Sequence, residues 1–241
     1  MTALPSSFLA HPIAHRGLHD ASAGVIENSP SAFDRAIRMG YAIELDVQLS
    51  ADGVAMVFHD ATLDRLTQTT GPVRARTAAE LADLRLIGSD DKIPTLAWVL
   101  DQVAGRVPLL IELKDQSGGL GDGDTALEQA VAAVLDGYGG DVAGMSFKPY
   151  MIAAMARFAP NIVRGLTTCG YVPSQWPHLS TEICAALRQI AAFDAVGASF
   201  ISHDWTDLDS LRVAELRALG VPILCWTIKT PQDDAQARHI A

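Results

Sequence analysis

The stretch Ile43-Glu44-Leu45-Asp46-Val47 decides how the rest of the chain is read. Apolar residues alternate with carboxylates, the two-residue period of a β-strand. Ile43, Leu45 and Val47 therefore share one face, while Glu44 and Asp46 project from the other about 7 Å apart along the strand. Two carboxylates so placed can share one ligand.

Working outward, Ile13-Ala14, Ala42–Leu49, Val54–Phe58, Leu109–Leu113, Val142–Phe147, Ile162–Thr167, Ala198–Ser202 and Val221–Trp226 read as short strands. Helical patterns lie between most of them, at Ser31–Met39, Thr77–Leu84, Leu96–Val103, Thr125–Leu135, Tyr150–Phe158, Thr181–Ala192 and Leu208–Leu219. This alternation predicts an α/β fold, a TIM-type (β/α)8 barrel occupying residues 1–241 as a single catalytic domain. One connection is irregular. Ser50-Ala51-Asp52-Gly53 is too short for a helix, so the second and third strands form a hairpin or an abbreviated crossover. The glycine-rich residues 118–124 read as a mobile loop. Asp122-Gly123-Asp124 lacks the remaining ligands of a calcium loop.

Composition narrows the function. Hydrophobic residues make up 49% and charged residues 19% of the 241, a balance that packs rather than disorders. With 28 acidic against 18 basic side chains the formal charge is −10, and that field opposes nucleic acid as a partner. It leaves a small phosphate ester open, because distant charges are screened beyond about 8–10 Å. Cys169, Cys184 and Cys225 are odd in number and widely spaced, which fits reduced thiols. No apolar run reaches the roughly 18 residues of a span, and no signal peptide is visible at the start. The expectation is a cytoplasmic chain without stable membrane insertion, and no signal sets its oligomeric state.

The device in the second strand returns in Leu110-Ile111-Glu112-Leu113-Lys114, where Glu112 and Lys114 share a face. A lone Glu-x-Asp is usually an outward, solvated pair. Two charged strands, with His15-Arg16-Gly17 and His59-Asp60 at the ends of others, weigh against that alternative.

Taken together, His15-Arg16-Gly17, Glu27-Asn28-Ser29, Glu44-x-Asp46, Asp52-Gly53, His59-Asp60, Leu63-Asp64-Arg65 and Glu112-Leu113-Lys114 resemble the glycerophosphodiester phosphodiesterase family in order and spacing. The match is dense from Ile13 to Thr70 and returns at Glu112–Lys114, with Ser146-Phe147 and Trp226-Thr227 as later landmarks. The resemblance implies metal-dependent hydrolysis of a small-molecule glycerophosphodiester to glycerol 3-phosphate and an alcohol. It implies that Glu44, Asp46 and Glu112 bind a divalent ion, that His15 and His59 form an acid/base pair, and that Arg16 and Lys114 lie near phosphate. An all-carboxylate ligand set suits Mg²⁺ or Ca²⁺ better than zinc.

Other residues compete with these for a role at the site. His11, His15 and His19 recur every four residues, but Pro12 and Gly17 break the helix that would align them. His203 after the seventh strand is read as a substrate contact or a packing residue, and Trp226 as a buried core tryptophan or a stacking surface for the substrate, the second being what the family resemblance implies. Asp60 orients His59 or caps a turn, and Arg65 pairs with a carboxylate or with phosphate. The rival readings are another phosphodiesterase on the same barrel, phospholipase D-like or phosphoinositide-cleaving, and a non-catalytic phosphate-binding relative. The family pattern continues past the Trp-Thr strand into another helix and a short final segment, whereas this sequence ends at Ala241 and leaves barrel closure open.

Overall fold

The computed structural model describes residues 3–115 and 123–241, so most of the glycine-rich segment 118–124 lies outside the described residues. Among the described residues there are eight strands: β1 (Ile13–Ala14), β2 (Ala42–Leu49), β3 (Ala55–Val57), β4 (Leu109–Leu113), β5 (Val142–Ser146), β6 (Val163–Thr168), β7 (Phe200–Asp204) and β8 (Ile223–Trp226). The α-helices are α1 (Ser7–Ala10), α2 (Pro30–Met39), α3 (Ala78–Asp83), α4 (Leu96–Val103), α5 (Ala126–Leu135), α6 (Pro149–Phe158), α7 (Thr181–Arg188), α8 (Leu211–Ala218) and α9 (Pro231–Ala237).

Among the described residues, seven strands run in the order β1-β2-β4-β5-β6-β7-β8, each paired in parallel with the next, and β3 pairs with β2 off that path. The irregular connection is a hairpin. β3 lies antiparallel to β2, with Val47 opposite Val57 and Leu49 opposite Ala55, and Gly53 turns the chain at φ 81°. The physical reason is reach, since a parallel return needs a crossover of roughly a dozen residues. β2 therefore meets β4 directly, a consequence that decides the site.

Several element boundaries differ from the sequence pattern by one to a few residues, and two of them have a visible cause. α7 ends at Arg188 instead of continuing to Ala192, and Ile190 takes a left-handed φ of 48° that a helix cannot include. β7 runs two residues later than its apolar run, because pairing with β6 places Phe200 opposite Gly165. After β8 the chain enters α9, opened by a Thr230–Asp233 capping box.

The alternation of β2 and β4 is resolved by packing. Ile43, Leu45, Val47, Leu109, Ile111 and Leu113 join Phe33, Leu96, Val99, Leu127 and Val131 in the largest buried cluster, between sheet and helices. Each such side chain removed from water contributes about 1.5–3 kcal/mol. The opposite face curls inward: Ile13, Leu110, Ala143, Met145, Val163, Phe200 and Leu224 meet in one interior cluster that Leu4 and Phe8 close from below. Gly165 is required there, because a Cβ would lie 2.5 Å from the Phe200 ring. The plug leaves the C-terminal strand ends as the open mouth of the barrel.

Candidate active site

The parallel register pairs Glu44 with Leu110 and Asp46 with Glu112, so the inward carboxylate of β4 stands beside the second carboxylate of β2. Ligand oxygens of Glu44, Asp46 and Glu112 all lie within 4.8 Å of one another, and all three residues are buried. A one-residue slip between the strands would send Glu112 into the apolar layer.

The turn after β1 brings polar hydrogens to this cluster. Arg16 (φ 57°) and Gly17 (φ 80°) are consecutive left-handed residues, and the Arg16 N–H donates to Glu44 Oε2 at 2.8 Å. Gly17 meets a second demand, since a Cβ there would lie 2.8 Å from the Cβ of Ala32 on α2. Ser29 caps α2 by accepting from the Ala32 N–H, and Pro30 opens the helix. Asn28, also left-handed at φ 55°, donates its backbone N–H to Arg16 O and its side-chain Nδ2 to Asp46 Oδ2 at 2.8 Å. Asn28 is a site residue that sequence reasoning quoted only as part of a motif. Its signal was an Asn, the residue most tolerant of left-handed backbone after Gly, just before a Ser-Pro helix start.

Lys114 Nζ lies 2.8 Å from Asp46 Oδ1 and 2.6 Å from Glu112 Oε1, and Arg16 Nε lies 3.4 Å from Asp46 Oδ2. Burial, with Asp46 and Glu112 close by, pushes the Glu44 carboxyl well above the ordinary range, and burial likewise raises Glu112. Burial also opposes ionisation of Asp46, yet Lys114, His59 and Arg16 overcome it and hold Asp46 below its usual value. Lys114 is desolvated but kept firmly protonated by Glu112 and Asp46.

These residues fit a hard divalent cation. Glu44 Oε1 is buried with no hydrogen-bond partner among the described residues, an acceptor that a cation would satisfy. Crowding of three carboxylates strains ionisation of Glu44, and a positive charge among them would relieve it. The donor set is all oxygen, the preference of Mg²⁺ and Ca²⁺.

Both histidines flank the cluster. His15 Nε2 is 3.9 Å from Glu44 Oε2, and burial together with Arg16 lowers its pKa to about 4. His59 is also lowered, by burial and then Lys114. Its Nδ1 lies 2.7 Å from Asp60 Oδ1. Asp60 itself is held at about 2, first by hydrogen bonds from Arg65. An ionised carboxylate can only accept, so Nδ1 of neutral His59 carries the proton and Nε2 the lone pair.

The two remaining sequence candidates part company. Trp226 is half-buried at the end of β8, donates Nε1–H to Ser202 O at 3.0 Å, and meets Phe147 edge-on at 5.5 Å between centroids. It belongs to an aromatic wall with Trp176 and Tyr171. His203 is not brought to the carboxylates. It lies within β7, one residue out of phase with Phe200 and Ser202, and faces the outer layer. Its Nδ1 is 2.7 Å from Thr168 Oγ1 and its Nε2 3.2 Å from Asp207 Oδ2, so both nitrogens are engaged inside the fold. The parity of β7 is the reason, and the packing alternative accounts for it. Sequence reasoning also passed over buried Lys148, which pairs with Asp115 at 3.0 Å just after Lys114. A groove of about 800 Å³ lined by Leu135, Tyr138, Phe158 and Ile162 opens at the far end of the barrel, away from this chemistry.

The chain matches the model of the glycerophosphoryl diester phosphodiesterase family over residues 15–240. It is 35% identical over 173 residues to a glycerophosphodiester phosphodiesterase of Caldanaerobacter subterraneus subsp. tengcongensis, an alignment spanning 66% of this chain and 68% of the relative. Among solved structures it is similar to the glycerophosphodiester phosphodiesterase from Agrobacterium tumefaciens, with 29% identity, a TM-score of 0.68, and 95% and 90% of the two chains covered. Its fold is also that of an Oleispira antarctica phosphodiesterase in complex with the product sn-glycerol-3-phosphate, with 22% identity, a TM-score of 0.76, and 97% and 90% coverage.

Proposed function

This chain belongs to the glycerophosphoryl diester phosphodiesterase family, and we propose that it hydrolyses glycerophosphodiesters to glycerol 3-phosphate and an alcohol, at the barrel mouth. The observation that carries this reading is the convergence of Glu44, Asp46 and Glu112 within 4.8 Å, with His15 beside Glu44.

Glu44, Asp46 and Glu112 would hold a divalent ion, Mg²⁺ or Ca²⁺. When bound, such an ion supplies Lewis-acid polarisation of phosphoryl oxygens. Arg16 and Lys114, fixed by their carboxylate partners, present cationic charge where the phosphate gains negative charge. His15 and His59 are neutral near pH 7, since burial depresses both. One neutral imidazole takes the proton of the attacking hydroxyl, and the other, in the fraction of molecules in which it has taken up a proton from solvent, gives that proton to the departing alcohol oxygen. In a glycerophosphodiester the neighbouring glycerol hydroxyl is already poised, so internal attack benefits from proximity; it expels the alcohol and leaves a cyclic glycerol phosphate, which water then opens to glycerol 3-phosphate. Trp226 and Phe147 offer an apolar wall to the glycerol or alcohol portion.

Among the described residues no helix is long and apolar enough to cross a membrane. A small deacylated diester is the preferred substrate, and the three free cysteines support a reducing compartment such as the cytoplasm. The test is release of phosphate ester from glycerophosphocholine and from a nitrophenyl phosphodiester, with EDTA and after Mg²⁺ or Ca²⁺ is restored. Activity lost to EDTA and regained with the ion is expected. Inactivity with every divalent ion would favour a binding protein.

A further inference from the structure

His59 and Arg16 are linked by an unbroken chain of hydrogen bonds, ionic beyond the imidazole, that lies outside the carboxylate cluster. His59 Nδ1 contacts Asp60. Arg65 then grips Asp60 through Nε and Nη2, at 2.5 Å to Oδ2 and 2.9 Å to Oδ1. With its other edge the same guanidinium grips Glu27, Nη1 to Oε2 at 3.0 Å and Nη2 to Oε1 at 2.8 Å. Glu27 Oε1 finally accepts from Arg16 Nη1 at 2.8 Å. One planar fork is thus bidentate to two carboxylates at once, a geometry that lysine cannot reproduce.

Single exposed ion pairs contribute little to stability, and the Arg65 side chain is 46% exposed. The arrangement is better explained by what it immobilises. Asp60 is ionised and oriented by Arg65, and that orientation selects the His59 tautomer whose Nε2 is free to handle a proton. The far end restrains the guanidinium of Arg16.

Resting on the reaction proposed above, we infer that Arg65 and Glu27 are positioning residues: through Asp60 they hold His59 in its Nδ1–H tautomer, and through Glu27 they hold Arg16 in place. The two acid/base and phosphate-contacting groups are thereby set by one bracket that touches no substrate itself. Neither Arg65 nor Glu27 contacts the three carboxylates in the described contacts.

The test reads tautomer and turnover separately. Long-range proton–nitrogen correlation spectra of the EDTA-treated full chain, with the His59 signal assigned by its loss in His59→Ala, should show a protonated Nδ1 and an unprotonated Nε2. In Arg65→Gln and Arg65→Lys the ring should shift towards the Nε2–H form. Hydrolysis of glycerophosphocholine should lose about 10–100-fold in kcat, the scale for partners that orient a functional imidazole, with KM little changed. Glu27→Gln should raise KM more than it lowers kcat, because its direct partner is Arg16. Retention of the Nδ1–H tautomer and of wild-type kcat in Arg65→Lys would overturn the inference. Should the unmutated chain prove inactive on every diester, the proposed reaction fails, while the tautomer measurement still judges the bracket.

Discussion

The two halves of the barrel wall are built from the same strand pattern and serve opposite ends. On the side of β1, β2 and β4, the mouth is lined by Glu44, Asp46, Glu112, His15, Arg16 and Lys114, joined by short polar contacts. On the side of β5 to β8, the mouth is lined by Phe147, Tyr171, Trp176 and Trp226. The contrast separates reactivity from containment. Charges are concentrated where one ion and one phosphate can be held, and the facing wall lowers the local dielectric, which strengthens those charges.

The largest expected effect breaks the contrast from the charged side. His15→Ala or His59→Ala should reduce kcat on glycerophosphocholine by about 10²–10⁴-fold, the range for loss of a general acid or base. Turnover near that of the unmutated chain would leave the two walls chemically equivalent.

Next in size is a change on the apolar side. Gly165→Ala drives a methyl group into the Phe200 ring, whose nearest atom stands 2.5 Å from the new Cβ. Destabilisation of about 1–3 kcal/mol is expected from the urea midpoint, with kcat of the folded fraction unchanged. A neutral substitution would mean that the plug beneath the site is looser than its packing indicates.

The smallest effect sharpens the comparison through pH. His15 has a folded pKa of about 4 against an ordinary 6.5, so the folded chain favours the neutral ring. As pH falls, the unfolded chain takes up this proton first. The contribution is therefore complete above about 6.5 and is lost between about 6.5 and 4. The side chain is 36% exposed, so screening keeps the effect small. His15→Asn should flatten the slope of the urea midpoint across that window, and an unchanged slope would show that the ring is solvated.

Much of the site was legible because alternation on a strand is a local property. Glu44 with Asp46, and Glu112 with Lys114, share a face whatever the rest of the chain does. The same local logic left His203 open between substrate contact and packing, since a two-residue difference in where β7 begins changes which residues are counted as inside the strand. Asn28, Lys148 and the Arg65–Glu27 bracket were not legible as site features. Their roles depend on partners such as Asp46, Asp115 and Asp60, brought near by loops whose paths follow from packing.

Residue order alone determined the strand and helix periods, a link after β2 too short to hold a helix, and which carboxylates and imidazoles are candidates for binding a cation or carrying a proton. Tertiary structure decided that Asp46 stands beside Glu112, that His59 keeps a lone pair on Nε2, and that His203 turns outward. The reason is that periodicity orients a side chain relative to its own strand. Distances between strands depend on register and curl, which are set by how apolar faces from all parts of the chain pack together.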